Sequence, residues 1–161
     1  MNAILDELTL ADLLPGTWVI AATNLPVWLT GERAEPRLTY ELVSREPLVL
    51  SHGVSFISAE EDPKPEVWQD TFRDEQFVRR GKGLQRIVPS RWEVSGWGAD
   101  GAVLALRYFA ALRAPSGLDI VVRDSARVPE IRALVARSTE AFGLTPEEFG
   151  SLSWFANAGA R

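Results

Sequence analysis

From Gly16 to Arg123 the sequence breaks into short alternating runs, each closed by turn residues, and that spacing leaves few folds open. In "RLTYELV" (Arg37–Val43), Leu38, Tyr40 and Leu42 share a face. In "LVLSHGVSFI" (Leu48–Ile57), Leu48, Leu50, His52, Val54 and Phe56 do the same. A period of two marks a half-buried strand. "VWQDTFR" puts Trp68, Asp70 and Phe72 together, and Trp92 and Val94 stand opposite Arg91, Glu93 and Ser95. Thr17–Thr23, Ala102–Leu112 and Leu118–Val122 are further runs of this kind. Gln76–Arg80 and Leu84–Val88 read either as one strand bulged around Gly81 and Gly83 or as a hairpin. The joins "GADG" and "APSG" are turn chemistry. About eight short strands at regular spacing predict an antiparallel barrel or sandwich.

Helical signals flank this region. Ile4, Leu5 and Leu8 share a helical face, and Thr9 with Asp12 has capping-box spacing, so a helix is expected over about residues 3–14. After Arg123, Pro129 and Glu130 suit a first turn, and Val128, Ile131, Leu134, Val135 and Phe142 form a stripe ahead of Gly143. That predicts a helix over about residues 127–142. "TPEEF" opens a further turn, and Ser151–Phe155 reads as a last short strand. With 161 residues and no linker or repeat, residues 1–161 are expected to form a single domain.

Composition removes several functions. The net charge of −5 argues against a nucleic-acid partner, which calls for a basic face. With no cysteine and a single histidine, a metal centre is not expected, and nothing in the sequence implies a cofactor. The acidic N-terminus does not read as a signal peptide, and no apolar run reaches the roughly 18 residues of a transmembrane segment. These features predict a cytoplasmic protein. No Gly-x-Ser-x-Gly elbow, catalytic triad or Walker spacing is present.

A short N-terminal helix, Gly16-Thr17-Trp18 opening the first strand, an arginine (Arg123) ending the eighth, then a helix and a short terminal strand resemble the lipocalin family, in its bacterial form. The resemblance spans about residues 9–155 and implies a calycin barrel. The family's middle Thr-Asp-Tyr motif is absent, and "GWGADGAV" stands in its region. The fold implied is mainly β: an eight-stranded antiparallel up-and-down barrel, with a short N-terminal helix and a C-terminal helix packed outside. Gly16, Trp18 and Arg123 would form a structural closed-end motif. Trp18 would plug the barrel, with Arg123 laid across its indole. The function implied is binding or transport of a small hydrophobic molecule such as a lipid or pigment.

Alternation puts Ile20, Leu38, Tyr40, Leu42, Leu50, His52, Val54, Phe56, Trp68, Phe72, Trp92, Val94, Leu104, Leu106, Tyr108, Leu118 and Ile120 inside. The ligand-binding candidates are Trp28, Tyr40, His52, Phe56, Trp68, Phe72, Trp92 and Tyr108. Trp28 lies on the apolar loop Leu25–Pro36, which reads as a lid or as a simple cap. His52 and Asp70 are the acid/base candidates for an isomerase or cyclase built on the same barrel. The plainer readings are a histidine satisfied by a neighbour and an Asp70 that faces water. "RRGKG" (Arg79–Gly83) could attract an anionic head group, the plainer reading being a solvated hairpin. A third reading is an interaction module with a filled barrel.

Overall fold

The strand β1 (Gly16–Thr23) starts where the short helix α1 (Glu7–Leu13) ends, and Pro15 and Gly16 make the turn between them. The computed structural model describes residues 5–58, 66–80, 90–110 and 116–156. Asp6 caps α1 by accepting the Thr9 amide at 2.8 Å, so the cap lies three residues ahead of the expected Thr9–Asp12 pair. Seven more strands follow: β2 (Ala34–Arg45), β3 (Leu48–Ile57), β4 (Glu66–Arg73), β5 (Gln76–Arg80), β6 (Ser90–Gly98), β7 (Val103–Phe109) and β8 (Gly117–Arg123). Each pairs antiparallel with the next, β8 returns to β1, and β1 pairs with β2 to close an eight-stranded up-and-down barrel. The expected strand at Leu84–Val88 and the acidic loop Ala59–Pro65 lie outside the described residues.

α1 closes one end. Leu10, Ala11 and Leu14 join the barrel core beneath it with Trp18, Leu38 and Leu104. Trp18 donates its indole N–H to the Leu14 carbonyl at 2.9 Å. Arg123 pairs with Trp18 in register, and its guanidinium lies 4.1 Å from the Trp18 ring. The same guanidinium donates to the carbonyls of Pro15 and Leu13, which ties the helix-to-barrel turn to the plug. Gly16 has φ +128°, and a Cβ there would stand 2.6 Å from Arg123 Nη1. Its positive φ is what calls for glycine, and the tip of Arg123 packs where a Cβ would stand.

A second core lies outside the barrel. The helix α2 (Ile131–Arg137) and the turns after it press Ile131, Val135, Phe142 and Leu144 onto Ala22, Val103, Ala105, Leu118, Ile120 and Val122. α2 is shorter than the expected 127–142. Its first flank is a turn at Pro129–Glu130, and Phe142 reaches the core from a turn rather than from the helix. The short helix α3 (Pro146–Gly150) opens on a full capping box between Thr145 and Glu148. The last strand, β9, is only Ser153–Trp154 and pairs with the upper half of β1.

β8 is thus buried on both faces, and its orientation is opposite to the expected one. Leu118 and Ile120 point outward under α2, while Asp119 and Val121 face inward. A register shift between Ile20 and Ala22 in β1 accompanies this reversal. A run apolar at nearly every position carries no alternation from which to read a face.

Candidate functional site

The inner faces of β2 to β6 bring a polar group into an aromatic barrel. Tyr40 comes from β2, His52 from β3, Asp70 from β4, Arg79 from β5 and Trp92 from β6. Neighbouring strands place them side by side, since Tyr40 pairs with His52 and Asp70 with Arg79. His52 Nδ1 lies 2.7 Å from Asp70 Oδ2, and Trp92 donates its indole N–H to that same oxygen at 2.9 Å. Arg79 Nε stands 3.5 Å from Asp70 Oδ1, and Arg79 Nη2 stands 2.9 Å from His52 Nδ1. The guanidinium also lies 4.8 Å from the Trp68 ring. Asp70 therefore does not face water. It is fully buried, with a cation and two N–H donors around it, the condition for burying a carboxylate. Arg79 of the "RRGKG" run reaches the interior and remains 19% exposed, while Gly81–Gly83 lie outside the described residues.

Electrostatics follow from this geometry. Burial pushes the Asp70 carboxyl up, but His52, Arg79 and Trp92 together outweigh it and hold the group below its ordinary value. Burial and then Arg79 push the His52 imidazole down, against the pull of Asp70, so the ring is neutral at neutral pH. Burial, then the Asp70 charge, raises the Tyr40 hydroxyl well above its usual range. On the other side of the barrel Asp119 accepts from the Thr23 hydroxyl at 2.7 Å. Burial raises its carboxyl to about 7 even though Thr23 and Tyr108 favour the ionised form.

Side chains fill the level of this cluster. Trp92 stacks on Phe77 at 4.4 Å and on Tyr40 at 5.4 Å, and Tyr40 lies 4.5 Å from the His52 ring. A cavity of about 330 Å³ opens at the fork where β2 leaves β1 and β9 takes its place. Ile20, Trp28, Pro36, Val122 and Phe155 line it, and Arg33, Arg37 and Asp124 add charge. Trp28 is buried at the end of a single 3₁₀ turn, Pro26–Trp28, while Val27 and Leu29 beside it are exposed. Phe56 meets Trp28 edge-on at 6.3 Å, and Arg33 covers the Phe56 ring at 4.6 Å.

The structure thus divides the ligand-binding candidates. Tyr40, His52, Trp68, Trp92 and Tyr108 belong to the polar-aromatic interior, and Trp28 with Phe56 to the fork. Phe72 goes elsewhere: it packs on Phe77 and lines a separate cavity of about 290 Å³ with Leu5, Leu10, Glu93 and Arg107. Sequence reasoning missed Arg79 as an interior residue, and it missed Asp119, Thr23, Arg33 and Phe155 altogether. Alternation from Asp70 across one hairpin would have found Arg79, because "RDEQ" fixes the turn that pairs them.

No family model matches the sequence, and no curated protein matches it. Among solved structures, a bovine lipocalin allergen, Bos d 2, is similar over 89% of this chain and 93% of its own, with 13% identity and a TM-score of 0.55. The siderocalin Ex-FABP, described as functioning through dual ligand specificities, is similar over 89% of this chain and 96% of its own. Its identity is also 13%, with a TM-score of 0.52. This chain has the lipocalin fold. No helix among the described residues is long and apolar enough to cross a membrane.

Proposed function

We propose that this lipocalin-fold chain binds a small, largely hydrophobic molecule at the fork where β2 parts from β1. The observation that carries the reading is the fork cavity, whose apolar lining and volume of about 330 Å³ suit such a molecule. Apolar burial would supply most of the affinity, at roughly 25 cal/mol per Å² before entropic costs. Trp28 would close on the ligand, and Arg33 and Arg37 at the cavity would orient a polar group on it. The reading includes a cytoplasmic location, which a cysteine-free sequence suits. Titration with a fluorescent lipid probe tests it. Probe binding with tryptophan quenching is expected, weakened at least tenfold by Trp28→Ala. If neither quenching nor probe displacement occurs across lipids, retinoids and pigments, the reading fails.

A second reading is an isomerase or cyclase on the same barrel. The observation favouring it is the His52–Asp70 pair, which leaves His52 Nε2 buried without a partner, as a general base would be. His52→Ala and Asp70→Asn separate the two. A carrier keeps its ligand, whereas an acid/base enzyme keeps binding and loses turnover.

A further inference from the structure

Three arginines and two carboxylates line the fork cavity, and their charges are not used alike. Arg37 donates to Asp124 at 2.5 Å, so those two charges match each other. Arg123 gives its guanidinium to the Pro15 and Leu13 carbonyls and to the face of Trp18, at the plugged end. Glu35 is exposed, where water screens its charge. Arg33 differs from all of these. Among the described residues it has no hydrogen bond and no ion pair, and its guanidinium rests on rings instead, 4.6 Å from the centre of Phe56 and 5.9 Å from that of Trp28. The rings hold the cation by its face and take up none of the N–H donors at its edge.

Arg33 is half-buried, so water can serve it from outside. A ligand seated against Ile20, Trp28, Pro36, Val122 and Phe155 displaces water from the cavity side. That ligand must then supply both the acceptors and the counter-charge that the guanidinium loses. A planar carboxylate does both, because its two oxygens match two parallel N–H groups of the guanidinium. An alcohol or an ester supplies acceptors but no charge. An ammonium is repelled. A phosphate monoester carries about two negative charges, which exceeds one unpaired cation and sets the surplus against Asp124 and Glu35.

We propose that Arg33 receives the carboxylate of an otherwise apolar ligand, so that the fork prefers hydrophobic monocarboxylates to amines or phosphate esters of the same chain. Trp28 then has two tasks, steadying Arg33 and covering the apolar part of the ligand. The proposal rests on the ligand-binding reading above and gives it a chemical class.

Displacement of the neutral probe N-phenyl-1-naphthylamine tests it. The competitors are decanoate, decylamine, decyl phosphate and 1-decanol at about pH 8, where the acid and the amine are both ionised. Decanoate should bind roughly tenfold more tightly than decylamine or decyl phosphate, as a charge-assisted pair of hydrogen bonds would give. Arg33→Gln should weaken decanoate by about tenfold and leave 1-decanol within about twofold, which also reports that the variant keeps its fold. Equal binding of decanoate and decylamine overturns the inference and leaves the ligand-binding reading intact. So does tighter binding of decyl phosphate, a decanoate preference that survives Arg33→Gln, or a loss of 1-decanol equal to that of decanoate, which would make Arg33 a packing residue only. If neither the probe nor any competitor binds, the ligand-binding reading fails and this inference with it.

Discussion

Asp119 lies between Leu118 and Ile120, which face α2, so its own side chain turns into the barrel. With its carboxyl raised to about 7, the folded chain holds a proton that the unfolded chain has lost at any pH between about 4 and 7. Stability from this group is complete below about pH 4, falls as pH rises through that window, and levels off above it. His52 and Asp70 act in the opposite sense. Both are held low, so their contribution is present at neutral pH and is lost on acidification. Asp119→Asn keeps an oxygen for Thr23 and removes the titration. Relative to the unsubstituted protein, the variant should gain about 3 kcal/mol between about pH 4.5 and about pH 8. Urea denaturation at both pH values measures this. A difference independent of pH would mean that the folded chain never holds that proton. The residue scale is also where sequence reading divided most sharply. The Trp18–Arg123 contact was legible through the resemblance to the lipocalin motifs, which set a tryptophan at the start of the first strand and an arginine at the end of the eighth. Asp119 was not, because a register shift in β1 and a two-faced β8 erase the alternation that would place it.

At the level of elements, the strands declared themselves through alternation and turn residues, whereas the outer helical segment did so less fully. A stripe from Val128 to Phe142 fits one long helix, yet α2 ends at Arg137 and the chain tightens into turns. The reason lies in its partner. Trp97 donates its backbone N–H to the Ala141 carbonyl at 3.2 Å, so the outer segment docks by its main chain against β6. Gly96 makes that approach possible, since a Cβ there would stand 2.2 Å from the Ala141 oxygen and 2.4 Å from the Phe142 backbone. Backbone cannot swing aside as a side-chain tip can. Gly96→Ala should therefore cost about 2–4 kcal/mol and loosen the outer segment. Gly150→Ala is the matching control, with nothing within 4 Å of its added Cβ, and it should be neutral or slightly stabilising. Thermal melts followed by tryptophan fluorescence distinguish the two. Equal melting temperatures for both variants would show that the outer segment does not need the close approach.

For the molecule as a whole, the closure of the barrel is uneven. β1 pairs with β2 only from Gly16 to Val19, near the plugged end. Above that point β9 takes over the edge of β1, and Phe155 donates to the Ala21 carbonyl at 2.9 Å. β7 and β8, by contrast, are covered inside by the barrel and outside by α2. The fork is therefore a stretch of the wall where β1 loses its β2 partner, and it is also where the cavity lies. Local opening takes place where few buried contacts and ladder bonds must be lost. Amide hydrogen exchange should accordingly be faster over residues 20–38 and 152–156 than in β7 and β8. Adding the fluorescent lipid probe at about 100 times its dissociation constant should slow exchange at the fork by up to roughly a hundredfold. No added protection at the fork would mean that the ligand does not bind there. Protection confined to β4 and β5 would place entry beside Arg79 and Trp68, with the fork cavity left empty. A fold can be read from alternation because every strand contributes to it. The entry route cannot, because it depends on where two neighbouring strands part, and that follows from β9 displacing β2 some 130 residues along the chain from Thr23.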